Sequence, residues 1–191
     1  MGKDNTFPGK EITVRKIGFA LLFIVFIIAA ANSKTKGAED DLPDQLREKL
    51  ETKIEKLLKR VDKIAKEEIR EWEAEQENIK LLAEVIYHEN WNTDSEHLAA
   101  YYTGAVVMNR VKSSAWPDTI KEVLYQRGQY STTKKFFTKV LPDEVYDMAR
   151  DIIRNGTPDV PYNVVFQATF VQGYGDWIDP IHGEHFCYGG A

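Results

Sequence analysis

The sequence predicts a mixed α+β protein in which helices come first and a short antiparallel sheet closes the chain. Helix-forming segments follow one another from residue 44 to residue 155, and two strand-like runs come after them. An apolar run and a highly charged stretch come first. The segment that follows them is suited to a packed core and has the size of an ordinary domain. We therefore expect three regions, at residues 1–33, 34–77 and 78–191.

The first region contains an unbroken apolar run, Ile17–Ala31, with Arg15 and Lys16 directly before it. Basic residues ahead of an apolar run favour a cytoplasmic N-terminus and export of the chain on the C-terminal side of the run. The run is intermediate between the core of a signal peptide and a membrane-spanning helix of about 17–25 residues. We interpret residues 1–33 as a signal peptide or membrane anchor, which predicts a secreted protein or one held in the cytoplasmic membrane.

The second region, residues 34–77, is predicted to be a charged helical stalk. It is rich in Glu, Lys, Leu and Arg, and it has no Gly or Pro after Pro43. Five apolar residues have the alternating spacing of coiled-coil core positions: Leu50, Ile54, Leu57, Val61 and Ile64. The seam covers only about three heptads, close to the minimum for a coiled coil. A weak dimer through the stalk and a solvated spacer helix both remain open.

The third region, residues 78–191, has four helix-like segments and then two strand-like runs. We expect helices over about 79–89 and 94–112, a third from near Pro117, and a fourth from Pro142 to Asn155. Asp94 or Ser95 is a suitable cap for the second helix. The β-branched and aromatic runs at 163–170 and 184–188 predict short strands.

The charge of the third region argues against nucleic acid as a partner. Residues 81–191 contain 9 basic and 14 acidic side chains and no basic stripe, which is a poor match to a phosphate backbone. Cys187 is the only cysteine, so no intramolecular disulfide can form. A lone cysteine beside aromatic residues is typical of a small core residue, and a thiol nucleophile would need a neighbouring base.

Glu89 is the first candidate for catalysis, because helical spacing puts it on one face with Leu82, Val85 and Ile86. The carboxylate thus continues an apolar stripe. Removal from water favours the protonated form of a carboxyl group, and a general acid needs that form. The alternative is a buried carboxylate paired with a base such as Arg110. Glu84 is expected to point elsewhere.

Aromatic residues close to Glu89 in the sequence suggest a site for a glycan. Tyr87, Trp91, Tyr101 and Tyr102 offer flat apolar surfaces of the kind on which sugar rings stack. The same side chains could equally belong to the core. Gly104, on the second helix, would permit another helix to approach closely.

Five segments, in order, resemble the bacterial cell wall hydrolase family of the spore cortex-lytic enzyme (SleB) type. They are LLAEVIYHE at 81–89, GAVVMNRV at 104–111, WPDTI at 116–120, VLYQ at 123–126 with QYS at 129–131, and VFQA at 165–168 with FCY at 186–188. The chain departs from the family in two places. Residues 90–93 replace a short Ala-Arg-Gly-Glu stretch, and Glu184 stands where the family often has His.

The resemblance implies a small lysozyme-like domain that acts on peptidoglycan glycan strands in the cell envelope, usually as a lytic transglycosylase. The family's catalytic glutamate falls on Glu89. The resemblance also implies that Asn109, Gln129, Phe166 and Gln167 shape the substrate cleft, to which we add the aromatic candidates Trp91 and Tyr102. No cofactor or metal is expected.

The reaction itself leaves alternatives. Hydrolysing glycosidases normally use two carboxylates, whereas a lytic transglycosylase can use one, so the lack of an obvious partner for Glu89 favours the second route. Asp94 and Asp176 are conceivable partners for true hydrolysis. A zinc amidase using His182 and His185 is a further alternative, although their spacing is not that of the His-Glu-x-x-His zinc helix. A non-catalytic glycan-binding module is the last.

Overall fold

A computed structural model describes residues 43–190, so the predicted apolar segment at 17–31 lies outside the described part. The elements are α1 (Asp44–Asn90), α2 (Leu98–Lys112), α3 (Ile120–Tyr125), a 3₁₀ helix (Ser131–Lys135), α4 (Asp143–Asn155), β1 (Val164–Ala168) and β2 (His185–Tyr188). Helices followed by a two-stranded antiparallel sheet confirm the predicted α+β class.

Helix α1 is longer than the sequence analysis predicted. The stalk helix and the separate helix expected at 79–89 form one helix of 47 residues. No Gly or Pro interrupts residues 44–90, so nothing in the sequence forces a break between them. The described chain divides into two compact units within this helix, the first ending at Glu73 and the second beginning at Ala74.

The first unit exposes its apolar residues. Leu50, Leu57 and Ile64 of the predicted seam are each more than half exposed. Among the helices of residues 43–190, none is both long enough and apolar enough to cross a membrane.

The second unit is built around two clusters of buried residues. The larger combines the last turns of α1 with residues of α2, α3 and α4, and includes Leu82, Ile86, Val123 and Ile152. The smaller lies between α2 and the sheet and includes Val106, Val164 and Phe186. Helix α2 therefore packs against the other helices and against the sheet.

Gly104 allows the close packing of α2 that the sequence predicted. A Cβ atom at this position would lie 2.6 Å from Cδ1 of Ile152 and 3.1 Å from Cδ1 of Ile86. Both distances are shorter than an ordinary contact between carbon atoms. A larger residue would thus push apart the side chains that join α1, α2 and α4.

The sheet pairs β1 and β2 in antiparallel register, with Gln167 opposite Phe186 and Ala168 opposite His185. The register shifts between Val164 and Phe166, which is a bulge in β1. Both strands lie inside the predicted runs, and each strand is shorter than the run that predicted it.

Helix starts differ from the predictions where loops intervene. Helix α2 begins at Leu98 and not at residue 94, because Asp94 caps it from the preceding turn through the backbone N–H groups of Leu98 and Ala99. Helix α3 begins three residues after Pro117, with Thr119 as its N-cap. Helix α4 ends before Gly156, as predicted. The 3₁₀ helix was not predicted.

Candidate active site

Glu89 lies in the last turn of α1, beyond a face that is completely buried. Leu82, Val85 and Ile86 have no exposed surface, whereas Glu89 is half-buried. The 3₁₀ helix approaches this turn, and the hydroxyl of its Thr132 donates a hydrogen bond to Oε1 of Glu89. The carboxylate therefore stands at the border between the core and solvent, held by one neutral donor.

A second carboxylate, Glu184, lies close enough to Glu89 for their charges to interact. Glu184 is half-buried in the turn that leads into β2, and Gln167 on β1 is its hydrogen-bond partner. Burial and the negative charge of Glu89 raise the pKa of Glu184, while Gln167 and His185 act in the opposite direction. The structure thus brings two carboxyl groups together from the two ends of the domain sequence.

Glu184 was not among the sequence-predicted site residues. It was noted only as a departure at a position where the resembled family often has His. The feature that identifies Glu184 is its contact with Gln167, a strand residue that the motifs had already selected. Long-range pairing of β1 with β2 brings the two residues together, and such pairing is not visible in local sequence spacing.

The charge of Glu89 also acts on Tyr130, whose ring centroid lies 5.4 Å from the guanidinium carbon of Arg110. Tyr130 is buried, and its pKa is raised by this burial and by the charge of Glu89, against the influence of Arg110. The Arg110 guanidinium donates to the Val165 carbonyl at 2.7 Å and to Oε1 of Gln129 at 2.9 Å. Arg110 is therefore not the ion-pair partner of Glu89 that the alternative hypothesis required.

Of the two glutamines predicted to bind substrate, Gln167 contacts Glu184 and Gln129 contacts Arg110. The carbonyl oxygen of exposed Gln129 is bound by Arg110, so this side chain can offer its amide N–H groups to a ligand. The carbonyl oxygen of Gln167 is buried without a hydrogen-bond partner. A hydroxyl or amide N–H of a bound molecule would satisfy it.

The other predicted substrate-binding residues have different surroundings. Trp91 is buried and stacked on His97, with ring centroids 3.8 Å apart. Tyr102 packs edge-on against Trp177 and Phe186 in the smaller core cluster.

Asn109 and Phe166 also lie apart from the carboxylates. Asn109 is buried, and its amide donates to the carbonyls of Pro161 and Val164 at 2.9 and 3.0 Å. Phe166 meets Trp116 edge-on, with centroids 6.0 Å apart, and lines a separate cleft.

A buried polar pair lies within the five residues that precede Glu89 on α1. Oε2 of Glu84 and Nε2 of His88 are 3.3 Å apart but are not aligned for a hydrogen bond. Burial raises the pKa of Glu84, opposed by a hydrogen bond from the backbone N–H of Phe137 and by His88. The His88 ring stacks on Phe136. Glu84 and His88 thus fix the segment that follows the 3₁₀ helix.

The aspartates considered as partners of Glu89 have other roles. Asp94 caps α2, and Asp176 accepts from the thiol of Cys187 at 3.1 Å and contacts Nδ1 of His185 at 3.0 Å. Burial raises the pKa of the Cys187 thiol, and Asp176 raises it further against the N–H of Gln172. A thiol kept protonated in this way is a poor nucleophile.

The two histidines of the zinc alternative lie in or next to one turn. His182 has a left-handed backbone conformation with φ of 49°, and His185 contacts Asp176. Within residues 43–190, no three His, Cys, Asp or Glu side chains are arranged to hold a metal ion.

The comparison with protein families agrees with the motifs. Residues 95–184 match the model of the Cell Wall Hydrolase family, which confirms the resemblance inferred from the sequence. This part of the chain is similar to a cell wall hydrolase domain, and the similarity supports hydrolase activity on peptidoglycan, an extracytoplasmic polymer. The match includes Glu184 but begins six residues after Glu89. No curated protein and no solved structure matches the chain.

Proposed function

We propose that this protein cleaves the glycan strands of peptidoglycan and that Glu89 is its general acid. The observation that carries the proposal is the half-buried Glu89 carboxyl at the end of a fully buried helix face, close enough to the Glu184 carboxyl for the two charges to interact. The family match supplies the substrate class independently, since it does not include Glu89.

In the form that we favour, the protein is a lytic transglycosylase. Glu89 gives its proton to the glycosidic oxygen, the bond from that oxygen to C1 breaks, and the leaving sugar departs as an alcohol. The Glu89 carboxylate then takes the proton of the 6-hydroxyl of the remaining sugar, whose oxygen bonds to C1. The product ends in a 1,6-anhydro ring, and no water is consumed.

Glu184 supports a second candidate, a two-carboxylate glycoside hydrolase of the muramidase or glucosaminidase type. In such enzymes one carboxyl group protonates the leaving oxygen while the other activates water or attacks C1. Two neighbouring carboxyl groups with different surroundings are suited to this division of roles. Burial and the charge of Glu89 raise the pKa of Glu184, which favours the protonated form of this carboxyl.

Digestion of purified sacculi followed by mass spectrometry tests both candidates. The wild type should release muropeptides, and Glu89→Gln should release none while keeping its fold. Exposed Glu96 provides a matched control, because Glu96→Gln makes the same chemical change away from the cleft. Full activity of Glu89→Gln would refute the assignment of the acid.

Glu184→Gln separates the two mechanisms. A transglycosylase that uses Glu89 alone should still form 1,6-anhydro products in this variant. A two-carboxylate hydrolase should release reducing ends in the wild type and lose activity in Glu184→Gln. Cleavage of peptide bonds alone would point to an amidase, and binding without any release of fragments would point to a non-catalytic module.

We also propose that residues 17–31 direct the domain to the cell envelope and that the helical stalk keeps it away from the membrane. The basic residues before the apolar run and the extracytoplasmic substrate of the family support export. The exposed seam at Leu50, Leu57 and Ile64 is compatible with a weak dimer. Membrane fractionation would distinguish an anchored protein from a secreted one, and sedimentation at several concentrations would detect dimers.

A further inference from the structure

A groove lined by neither Glu89 nor Glu184 lies along the end of α2 and the start of β1. It encloses about 570 Å³ and is continuous with a second cavity of about 520 Å³, since both are lined by Asn163, Gly189 and Gly190. We call the two cavities together the aromatic groove. Besides the shared residues, the side chains that matter here are Lys112, Trp116, Tyr162, Phe166 and Tyr174.

Aromatic rings dominate the walls of this groove. Trp116 and Phe166 form an edge-on pair on one side, with their centroids 6.0 Å apart. Tyr162 and Tyr174 are 77% and 79% exposed, so each presents most of its ring to solvent. Exposed aromatic rings around a concave surface are unusual unless they bind a partner, and flat rings of this kind stack on the apolar faces of sugars.

The polar lining of the groove is suited to N-acetylated sugars. Asn163, Ser113 and Ser114 provide amide and hydroxyl groups that can both donate and accept. The acetamido group of such a sugar requires one donor and one acceptor. The backbone at Gly189 lies against Val165, so this part of the groove has no space for a side chain.

The charge of the groove is opposite to that of the domain. Residues 81–191 have five more acidic than basic side chains, yet within residues 43–190 Lys112 is the one charged residue that lines either cavity. Lys112 is exposed, and no carboxylate of the described lining competes for it. A ligand that carries a carboxylate therefore fits this surface better than a neutral one.

Arg110 links a ring of the groove to Tyr130, on which the charge of Glu89 acts. The guanidinium carbon lies 4.2 Å from the Trp116 ring centroid on the groove side and 5.4 Å from the Tyr130 ring centroid on the other. Two consecutive residues of β1 also join the two places, since Phe166 lines the groove and Gln167 contacts Glu184. One elongated polymer could thus occupy both places.

We propose that the aromatic groove binds an N-acetylated sugar unit that carries a carboxylate, with its ring on Tyr162 and Trp116 and its carboxylate at Lys112. This proposal rests on the proposed function, because it names a second part of the same glycan strand. Peptidoglycan offers two sources of the carboxylate: the stem peptide, and the lactyl group of a muramic acid from which the stem peptide has been removed.

Binding in the Glu89→Gln background tests the groove without cleavage. The full chain would be titrated with three probes: peptidoglycan fragments with stem peptides, the same strands after amidase removal of the peptides, and chitin oligomers, which have no carboxylate. Tyr162→Ala, added to this background, should weaken binding to all three probes by about tenfold, because it removes an aromatic anchor. Added Lys112→Ala should weaken binding about threefold, and only to probes with the recognised carboxylate.

Two matched controls come from the same unit. Lys80→Ala removes another exposed lysine, and Val140→Ala changes a residue that is 97% exposed; neither should alter any affinity. The lactyl carboxyl is held in an amide bond while the stem peptide is attached. A Lys112→Ala effect on the amidase-treated probe alone therefore assigns the lactyl group, and an effect on the peptide-bearing probe alone assigns the stem peptide.

Unchanged binding in Tyr162→Ala would overturn the groove as a sugar site. A Lys112→Ala effect that is absent, or equal on chitin oligomers, would overturn carboxylate recognition. Failure of the proposed function is a different result, because it would be seen as no release of fragments by the wild type.

Discussion

Replacement of Asn109 by Leu tests whether this residue acts in substrate binding or in folding. The motifs predict that Asn109 shapes the cleft, but its side-chain amide donates to two backbone carbonyls that lead into β1, those of Pro161 and Val164. Leu branches like Asn but has no donor, and its two methyl groups are larger than the oxygen and the NH2 group that they replace. The substitution therefore removes the two bonds, and crowding by the methyl groups can only add to the cost.

The cost can be worked out for each carbonyl. The Pro161 carbonyl keeps a second donor, the N–H of Val164 at 3.0 Å, so it loses only a net hydrogen bond of about 0.5–1.5 kcal/mol. Loss of the partner of the buried Val164 carbonyl costs about 1–3 kcal/mol. We expect Asn109→Leu to lower the free energy of unfolding by about 1.5–4.5 kcal/mol, the sum of the two losses.

Urea unfolding followed by circular dichroism and tryptophan fluorescence measures this change. Exposed Asn92 provides the control, because Asn92→Leu should stay within about 0.5 kcal/mol of the wild type. A change below about 0.5 kcal/mol in Asn109→Leu, together with weaker substrate binding, would refute the structural role.

Three other substitutions test the cap, the helix packing and the carboxyl pair. Asp94→Ala should cost about 1 kcal/mol of stability at neutral pH. Burial acts to raise the pKa of Asp94, but hydrogen bonds from backbone N–H groups outweigh it and lower the pKa. The cost of the substitution, measured by urea titration, should therefore shrink as the pH falls below 3.8. Gly104→Ala should destabilise the wild type, and thermal unfolding should show a smaller cost in an Ile152→Val background, which lacks the clashing Cδ1. The pKa of Glu184, followed by carbon NMR, should lie above the ordinary glutamate value of 4.5 and should be lower in Glu89→Gln. An unchanged pKa in that variant would contradict the interaction of the two carboxyl groups.

The spacing of apolar residues and the residues that end helices predicted much of the fold. The apolar spacing of Leu82, Val85 and Ile86 identified a face that is buried, and Asn155-Gly156 marked the end of α4. The errors arose where tertiary contacts decide the conformation. The 3₁₀ helix has no buried residue of its own, so it leaves no apolar pattern, and its place is set by contacts with α1.

The site was less accessible to sequence reasoning than the fold. Glu89 could be selected because it extends a helical stripe within ten residues, a local pattern. Glu184 is 95 positions further along the chain, and its position depends on the pairing of β1 with β2. Trp91 and Tyr102 show the opposite difficulty, since an aromatic residue near a carboxylate in sequence is as suited to the core as to a cleft.

The segment from Ser131 to Phe137 is attached to α1 at three successive points. Thr132 contacts Glu89, Phe136 stacks on His88, and the Phe137 N–H reaches Glu84. Surface connections ordinarily accept added or deleted residues during evolution. Here a change of even one residue would move at least one attachment out of place, so relatives should conserve the length of this segment while the neighbouring loops vary. Its length would then identify functional members of the group where individual residues do not.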